Sequence, residues 1–254
     1  MRLENKTAVI TGGAKGIGKA TALLFGREGA KVVIADIDSA AGHEVVADII
    51  ENGGQAIFAY TDVTDIDQVE RLMNLAEQEY GKIDVLFNNA GIALFIPTTD
   101  MSEQQWKSFM DINLNSVFYG CKCAIPRMIK NQGGVIINCA SVHGHVAGPM
   151  ITAYATSKGG VVMMTKALAA EYANLNIRVN AICPGYVRTP MILNVRDEMG
   201  EHGSAMEAHI CSQHPMGRMA EPEEIASAVL FMASDESSFM TGSSLVIDGG
   251  YTAV

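Results

Sequence analysis

The sequence has few positively charged residues and few charged residues of any kind. Lys and Arg together number 18 against 28 Asp and Glu, which gives a formal net charge of −10, and only 18% of the 254 residues are charged. Binding to nucleic acid or to an anionic membrane surface depends on clustered Lys and Arg side chains. The charge balance therefore argues against both kinds of partner.

Long hydrophobic runs are also missing. Although 48% of the residues are hydrophobic, no apolar run approaches the roughly 18 residues that a membrane-spanning helix needs. The first residues, MRLENK, lead directly into a strand-like run and contain no apolar targeting segment. We therefore expect a soluble, cytoplasmic protein. Because one hydrophobic core can serve up to roughly 250 to 300 residues, we expect residues 1–254 to form a single domain.

Cysteine is scarce, and its pattern predicts neither a disulfide framework nor a metal site. The five cysteines are Cys121, Cys123, Cys139, Cys183 and Cys211. They are odd in number, and their spacing matches no zinc-binding pattern. Cys121 and Cys123 lie two residues apart in a helical pattern, so their side chains point about 200° apart and cannot bind one ion. We expect reduced core cysteines and no bound metal.

Short, apolar, strand-like runs alternate with longer helical patterns along the whole chain. The strand-like runs are residues 7–11, 31–36, 55–62, 83–88, 134–141, 177–184 and 243–248. Several are continuously apolar, such as AVIT and VVIA, as strands buried on both faces of a parallel sheet are. The alternation predicts an α/β fold with one doubly wound (Rossmann) parallel sheet of about seven strands and helices on both faces.

One stretch, residues 189–219, breaks this rhythm. It is rich in Met and His, is weakly periodic and follows the sixth strand. Its length and its place beside the carboxyl ends of the strands are typical of a substrate lid, and a surface helix pair that only covers the core is the alternative. His202, His209 and His214 are seven and five residues apart, which gives no helical metal-binding pair, so we interpret them as lid and packing residues.

A glycine-rich stretch, TGGAKGIG at residues 11–18, joins the first strand to the first helix. Gly12, Gly16 and Gly18 allow a tight turn and a close approach of the backbone to a pyrophosphate, which then lies at the positive end of the helix. A glycine cluster alone is weak evidence, but its place between strand and helix is the one this mechanism requires. We assign Lys15 and Ile17 to the same site.

Asp36 ends the second strand, eighteen residues after Gly18. This spacing is close to the roughly 20 residues that precede an acid which hydrogen-bonds the adenosine ribose hydroxyls, and Ile37 adjoins it at the same site. A carboxylate here repels a 2′-phosphate. Lys15 would attract one, but no Lys or Arg follows Asp36 before residue 71. We therefore favour NAD over NADP.

Tyr154 and Lys158 are four residues apart in a helical run, so their side chains lie on one face. A phenol with a pKa near 10 is a poor base at neutral pH, and lowering that pKa by about 3 units takes roughly 4 kcal/mol. Ser141 ends the fifth strand, at the edge where open α/β folds bind ligands. His143 and His145 follow in a loop expected to face the substrate, although a solvated loop histidine is the more common case.

Taken in order, these motifs resemble those of the short-chain dehydrogenase/reductase family in its short, single-domain form. The matching elements are TGGAKGIG, Asp36, Asp62-Val63, Asn88-Asn89-Ala90-Gly91, Asn113, Ser141, Tyr154-x-x-x-Lys158 and Pro184-Gly185. They extend over nearly the whole chain. Their order and spacing are far more specific than any one of them alone.

The resemblance implies a role for each matching residue. Tyr154 would be the catalytic acid/base, and Lys158 would bind the nicotinamide ribose and lower the pKa of Tyr154. Ser141 would orient the substrate oxygen, and Asn113 would hold a water in a proton relay to Lys158. Further cofactor contacts implied in this way are Gly12, Gly16, Gly18, Asp62, Val63, Asn89, Ala90, Gly91, Pro184, Gly185, Val187 and Thr189. On the substrate side we add His143 and Met191.

The resulting expectation is an oxidoreductase (EC 1.1.1.-) that transfers hydride between NAD(H) and a secondary alcohol or ketone, such as a small alcohol, diol, polyol or hydroxy compound. The resemblance also implies a homotetramer, joined through helices at residues 102–130 and 154–172 and through the C-terminal segment.

Two alternatives remain at this point. An NADPH-dependent 3-oxoacyl-(acyl-carrier-protein) reductase of the same family would dock an acidic carrier, which the net charge disfavours, although Arg127, Lys130 and Arg178 offer a local basic patch. A non-catalytic dinucleotide-binding regulatory protein would tolerate loss of the tyrosine, lysine or serine, whereas all three are present.

Overall fold

Seven parallel strands form the centre of the fold, in the order β3-β2-β1-β4-β5-β6-β7, in the computed structural model, which describes residues 1–254. The strands are β1 Thr7–Thr11, β2 Lys31–Asp36, β3 Gln55–Tyr60, β4 Val85–Asn88, β5 Gly134–Cys139, β6 Ile177–Pro184 and β7 Ser244–Ile247. The strand order reverses between β1 and β4, and ligands of open α/β sheets bind at the carboxyl ends beside such a reversal. The predicted doubly wound sheet is confirmed.

Helices cover both faces of this sheet. They are α1 Gly16–Arg27, α2 Ser39–Glu51, α3 Ile66–Tyr80, α4 Glu103–Met110, α5 Ser116–Lys130, α6 Thr152–Tyr172, α7 Pro190–Glu198, α8 Gly203–Ser212 and α9 Pro222–Ala233. α3, α5 and α6 pack in one hydrophobic cluster with one face of the sheet, and α1, α2 and α9 pack in a second cluster with the other. None of the helices is long and apolar enough to cross a membrane.

Four strands are shorter than the sequence pattern predicts, and two of them, β3 and β5, each lose two residues at the carboxyl edge of the sheet. β3 ends at Tyr60, so Asp62 leaves the ladder, and its Oδ1 accepts hydrogen bonds from the amide and hydroxyl of Thr64. β5 ends at Cys139, and Ser141 stands after it in extended conformation, before a short 3₁₀ turn. Polar residues that the pattern places in strands instead turn toward the edge.

The single helix predicted over residues 102–130 is interrupted. α4 is followed by one π-helical turn, Asp111–Asn115, and only then by α5. Ser102 begins α4 with a capping box closed by Gln105. π-helical turns are rare and often lie at functional sites. Here the wide turn places Asn113 in the interior, where it is fully buried.

Residues 189–219, the predicted lid, form the helical hairpin of α7 and α8 beside the carboxyl end of β6. Ile192, Ile210 and Met219 make a small apolar cluster inside it. Arg188, at its start, pairs with Glu207 of α8, with Nη1 and Oε1 2.7 Å apart. The hairpin is therefore a separate packing unit attached to the edge of the sheet where the predicted site residues lie.

Candidate active site

A single cavity of about 430 Å³ runs along the carboxyl ends of the strands. Of the site residues taken from the sequence, all but Gly18 and Asn113 line it. Gly12, Asp36 and Asp62 lie along one part of the wall, and Ser141 and Tyr154 lie along another. The cavity thus joins the predicted cofactor residues to the predicted catalytic residues.

The glycine loop forms a backbone cradle that would suit a pyrophosphate. Gly12 has φ of +62°, and a Cβ there would lie 2.9 Å from the Cα of Ala90. A Cβ on Gly18 would clash with the carbonyl oxygen of Gly12, so only glycine fits. α1 begins at Gly16 without a side-chain cap and without an acidic residue in its first turn. Its free N–H groups therefore face the loop, as an anion-binding helix end requires.

Asp36 joins the glycine loop to the end of β2. Its Oδ2 accepts a 3.0 Å hydrogen bond from the amide of Ala14, and its Oδ1 accepts one of the same length from the amide of Asp38. Lys15 is paired with Asp38, with Nζ and Oδ2 2.6 Å apart, and this hydrogen bond raises the pKa of Lys15. The loop thus carries two carboxylates and one ammonium, a local net charge of −1.

Asn89 and Thr11 fasten the glycine loop to the end of β4. The side-chain Nδ2 of Asn89 donates to the carbonyl oxygens of Thr11 and Gly12, at 3.0 and 2.9 Å. The hydroxyl of Thr11 in turn accepts from the amides of Asn89 and Ala90. Asn89 lines the cavity, and its side-chain amide nitrogen holds the glycine loop in shape.

Lys158 is buried at the opposite part of the cavity wall. Its Nζ donates a 2.8 Å hydrogen bond to the backbone carbonyl of Cys139 and lies 5.8 Å from the centroid of the Tyr154 ring. Burial lowers the pKa of Lys158. The carbonyl at the end of β5 therefore orients the ammonium toward the phenol.

The hydroxyls of Ser141 and Tyr154 form the polar end of the cavity. Burial raises the pKa of Tyr154, and the neighbouring Ser141 hydroxyl opposes that rise. The backbone N–H of His143 donates to the Ser141 Oγ at 3.2 Å. Because that oxygen already accepts a hydrogen bond, its own proton remains available to donate to a neighbouring oxygen.

Asn113 lies behind this wall and clamps the segment after β4. Its Oδ1 accepts from the amide of Ile92 at 2.8 Å, and its Nδ2 donates to the carbonyl of the same residue at 2.9 Å. A Cβ on Gly91 would lie 3.1 Å from Asn113 Oδ1 and 3.4 Å from Lys158 Nζ, so these two side chains flank Gly91. The side-chain amide thus positions the backbone, and the implied water-holding role stays a prediction.

The two histidines that follow Ser141 differ in burial. His145 is exposed, with Nε2 3.6 Å from the Sγ of Cys183. His143 lines the cavity and is only 8% exposed, so the solvated alternative is wrong for this residue. Burial lowers its pKa. The burial depends on Tyr186 and Tyr251, which are distant in the sequence, so no local pattern predicts it.

His214, assigned to packing from the sequence, is buried and connects α8 to the loop after β6. Its Nδ1 donates to the carbonyl of Ile210 at 2.8 Å, and its Nε2 accepts from the amide of Tyr186 at 3.3 Å. His202 and His209 are exposed. No three His, Cys, Asp or Glu side chains form a group that could hold a metal ion.

Several apolar residues of the cavity wall have no counterpart in the sequence prediction. The main ones are Ile92, Leu94, Phe95, Ile151, Tyr186 and Ile192. The run IALF directly after the NNAG motif is the signal that identifies the first three. More than half of the lining residues are hydrophobic. The part of the cavity beside Ser141 and Tyr154 therefore combines two hydroxyl groups with apolar walls.

Comparison with known proteins gives matches along the whole chain. A family model described as enoyl-(acyl carrier protein) reductase matches residues 12–252. A 3-oxoacyl-(acyl-carrier-protein) reductase of Thermotoga maritima is 43% identical over 98% of this chain and 99% of its own length. A cyclohexanol dehydrogenase of an Acinetobacter species is 38% identical over 99% and 97%. A short-chain type dehydrogenase/reductase from Mycobacterium marinum superposes with a TM-score of 0.93 at 39% identity, over 99% of this chain and 97% of that one.

Proposed function

The chain belongs to the short-chain dehydrogenase/reductase family, and we propose that it is an NAD-dependent dehydrogenase of apolar secondary alcohols that also reduces the corresponding ketones. The family makes it an oxidoreductase that uses a nicotinamide dinucleotide. One observation carries the finer proposal. Ser141, Tyr154 and Lys158 meet at one end of a cavity whose other end has an acidic residue beside the glycine loop.

The two hydroxyl groups suit the chemistry of an alcohol or carbonyl oxygen. When bound, the nicotinamide supplies the hydride acceptor or donor. In alcohol oxidation the hydride leaves the substrate carbon while the alcohol proton passes to the phenolate oxygen of Tyr154; in ketone reduction the Tyr154 phenol protonates the carbonyl oxygen. Ser141 holds that substrate oxygen through its free hydroxyl proton.

We expect Lys158 to influence which form of Tyr154 is available. Burial raises the pKa of Tyr154, so the phenol stays protonated at neutral pH, which is the form that reduces a ketone. A nearby positive charge favours the phenolate that oxidation requires. The Cys139 carbonyl holds the Lys158 Nζ near the ring and thereby supplies that charge at a fixed position.

The charges around the glycine loop favour NAD over NADP. Asp36 lines the cavity beside Gly12 and Lys15, where a 2′-phosphate would meet its carboxylate. The only cation of this loop, Lys15, is already paired with Asp38. A 2′-phosphate would therefore lie next to a net negative charge, whereas two ribose hydroxyls can donate to a carboxylate.

The walls beside Ser141 favour an apolar substrate. Leu94, Phe95 and Met191 line the cavity, and these residues are 47%, 38% and 39% exposed. A polyol would lose hydrogen bonds to water against such walls, whereas an alicyclic or branched secondary alcohol would bury apolar surface. The 38% identity with a cyclohexanol dehydrogenase supports the same class.

A second candidate is the 3-oxoacyl-(acyl-carrier-protein) reductase activity, which the 43% identity with the Thermotoga maritima protein favours. The basic patch considered for a carrier does not form. Arg127 is bound by Glu70 and Glu77, and Arg178 donates to backbone carbonyls such as that of Met232. Only Lys130 remains free of such contacts, so nothing on this face attracts an acidic carrier strongly.

The distinguishing experiment is a kinetic screen with NAD and NADP separately. The panel contains cyclohexanol, 2-octanol, sorbitol and, in the reductive direction, a 3-oxoacyl thioester. We expect the highest kcat/KM with NAD and an apolar secondary alcohol. A 3-oxoacyl thioester reduced with NADPH at a higher kcat/KM than any alcohol–NAD pair would replace the proposal by the second candidate. If no panel member is turned over, the favoured alternative becomes a non-catalytic dinucleotide-binding regulatory protein.

We further propose a homotetramer. Phe118 on α5 and Met163 on α6 expose 46% and 63% of their surface to solvent, and Phe239 is fully exposed. Large apolar side chains exposed on two helices and beside the last strand are typical of subunit contacts. Light scattering at micromolar concentration tests this, and a monomer contradicts it.

A further inference from the structure

His143 is the one residue of the cavity wall whose buried polar side-chain atoms have no partner in the protein. Neither Nδ1 nor Nε2 has a hydrogen-bond partner of good geometry, although both are buried and the backbone of Val146 is near enough to oppose the fall in the pKa of the ring. The other unpartnered buried atoms, such as Thr7 Oγ1 and Thr21 Oγ1, belong to residues that do not line the cavity. A protein usually satisfies its buried polar atoms, because an unsatisfied one has given up its hydrogen bonds to water without replacing them.

The imidazole stands next to the catalytic tyrosine. Its centroid lies 6.3 Å from that of Tyr154, 6.0 Å from Tyr186 and 5.8 Å from Tyr251, all in edge-on arrangements. Three aromatic rings therefore fix its position. The contact with Ser141 is made by the backbone N–H of His143, so the imidazole itself takes no part in holding that serine.

We propose that His143 determines substrate specificity by hydrogen-bonding a second oxygen of the substrate, so that the enzyme prefers an apolar alcohol with a neighbouring hydroxyl or carbonyl over the simple alcohol. The proposal rests on the proposed function, because Ser141 and Tyr154 take the reacting oxygen. A neutral imidazole has one donor and one acceptor, which matches a hydroxyl group. Burial lowers the pKa of His143 and so keeps it neutral, which suits an uncharged oxygen better than a carboxylate.

The substrate test compares cyclohexanol with cyclohexane-1,2-diol, as separate cis and trans isomers, for the wild type and His143→Leu. We expect the wild type to prefer one diol, and we expect the variant to lower the diol-to-cyclohexanol ratio of kcat/KM by roughly tenfold or more. His145→Leu, at an exposed imidazole outside the cavity wall, should leave that ratio unchanged. An equal change for both substrates, or a wild type without preference for either diol, overturns the proposal.

The stability test separates this role from a structural one. If the ring nitrogens have no partner in the free protein, His143→Leu removes unsatisfied atoms and should keep or raise Tm. A histidine that serves folding alone would give a lower Tm in the variant, and that result overturns the proposal. His143→Asn, which keeps a donor and an acceptor in a smaller side chain, should retain part of the diol preference.

A binding test separates failure of this proposal from failure of the proposed function. Tyr154→Phe with NAD is heated with each alcohol, and the shift in Tm reports binding without turnover. We expect a larger shift with the preferred diol than with cyclohexanol, and the difference should vanish in the Tyr154→Phe, His143→Leu double variant. If the difference in Tm shift between the diol and cyclohexanol is the same in Tyr154→Phe and in the double variant, the proposed role of His143 is overturned. Absence of turnover by the wild type with either alcohol instead counts against the proposed function.

Discussion

The Oδ2 of Asp38 lies 2.6 Å from the Nζ of Lys15 and so engages the only cation of the glycine loop. The same aspartate caps α2 by accepting a hydrogen bond from the amide of Ala41. One side chain thus performs two tasks, a structural one that needs an oxygen and an electrostatic one that needs a negative charge. Asn keeps the first and removes the second, because Asn is as good an N-cap as Asp.

Asp38→Asn should therefore weaken the preference for NAD. Freed from its ion pair, Lys15 becomes available to a 2′-phosphate, so Kd for NADP should fall by roughly threefold to tenfold, while Kd for NAD changes little. The measurement is a fluorescence titration of the variant with NADPH and with NADH. Adding Lys15→Met to the Asp38→Asn variant should raise Kd for NADPH again. An unchanged Kd for NADPH would show that Lys15 does not reach the 2′ position.

The α7–α8 hairpin, the predicted lid, contains one carboxylate that is shared by two arginines. Glu207 binds Arg188 through Oε1 at 2.7 Å and Arg196 through Oε2 at 3.1 Å. Glu207→Gln should loosen α8 and raise KM for the alcohol several-fold. Because these charged groups are partly exposed, salt should weaken their pairing and raise the KM of the wild type. The KM of Glu207→Gln should depend less on salt. Glu236→Gln, which breaks the surface pair with Arg2, is the matched control. Equal salt responses would contradict the role of Glu207.

The protein should lose stability at alkaline pH. Burial raises the pKa of the Cys121 thiol to about 12, whereas the unfolded chain releases this proton near its ordinary value of about 8.5. The stabilising contribution is therefore complete below about pH 8.5 and is lost as the pH rises toward 12, at about 1.4 kcal/mol per pH unit and proton.

Urea unfolding between pH 7 and 10 tests this dependence. Cys121→Ala should lower the free energy of unfolding at pH 7 but flatten its alkaline decline, because one buried acid is removed. Cys211→Ala, at a half-buried thiol, is the control and should keep the slope of the wild type. Identical slopes in all three proteins would show that the Cys121 proton does not contribute.

The direction of the reaction should depend on pH through Tyr154. Burial raises the pKa of its phenol. Because oxidation needs the phenolate, kcat/KM for oxidation should rise steadily with pH from pH 6 toward pH 10. Ketone reduction uses the protonated form and should stay nearly constant over the same range. The measurement is kcat/KM in both directions with one alcohol and its ketone. Parallel profiles in both directions would contradict this assignment of the proton.

Much of the fold can be predicted because its signals are local. Buried strands give continuous apolar runs, and the glycine loop and the Tyr154–Lys158 pair each lie within a few residues. The π-helical turn at Asp111–Asn115 gives no such signal, because helical periodicity continues on both sides of it. Its cause is a distant contact, because the side-chain amide of Asn113 is hydrogen-bonded to the backbone of Ile92, which lies 21 residues earlier.

The features that the sequence does not predict depend on distant partners. His143 is interpreted as a loop residue until Tyr186 and Tyr251 are seen around its ring. Likewise, the sequence places Arg127 in a basic patch, whereas in the structure Arg127 forms an ion pair with Glu70 of α3. In both cases the residue type indicates the chemistry, but burial and pairing, which decide its use, are set by tertiary packing.

The most direct test of the central claim is Tyr154→Phe assayed for NAD-dependent oxidation of cyclohexanol, together with NADH binding by fluorescence titration. Tyr186→Phe, which removes the hydroxyl of another tyrosine on the cavity wall, is the matched control and should lose far less activity. We predict that Tyr154→Phe lowers kcat/KM by about 10³-fold or more while Kd for NADH stays within about twofold of the wild type. A Tyr154→Phe enzyme that keeps substantial activity would contradict the assignment of Tyr154 as the acid/base.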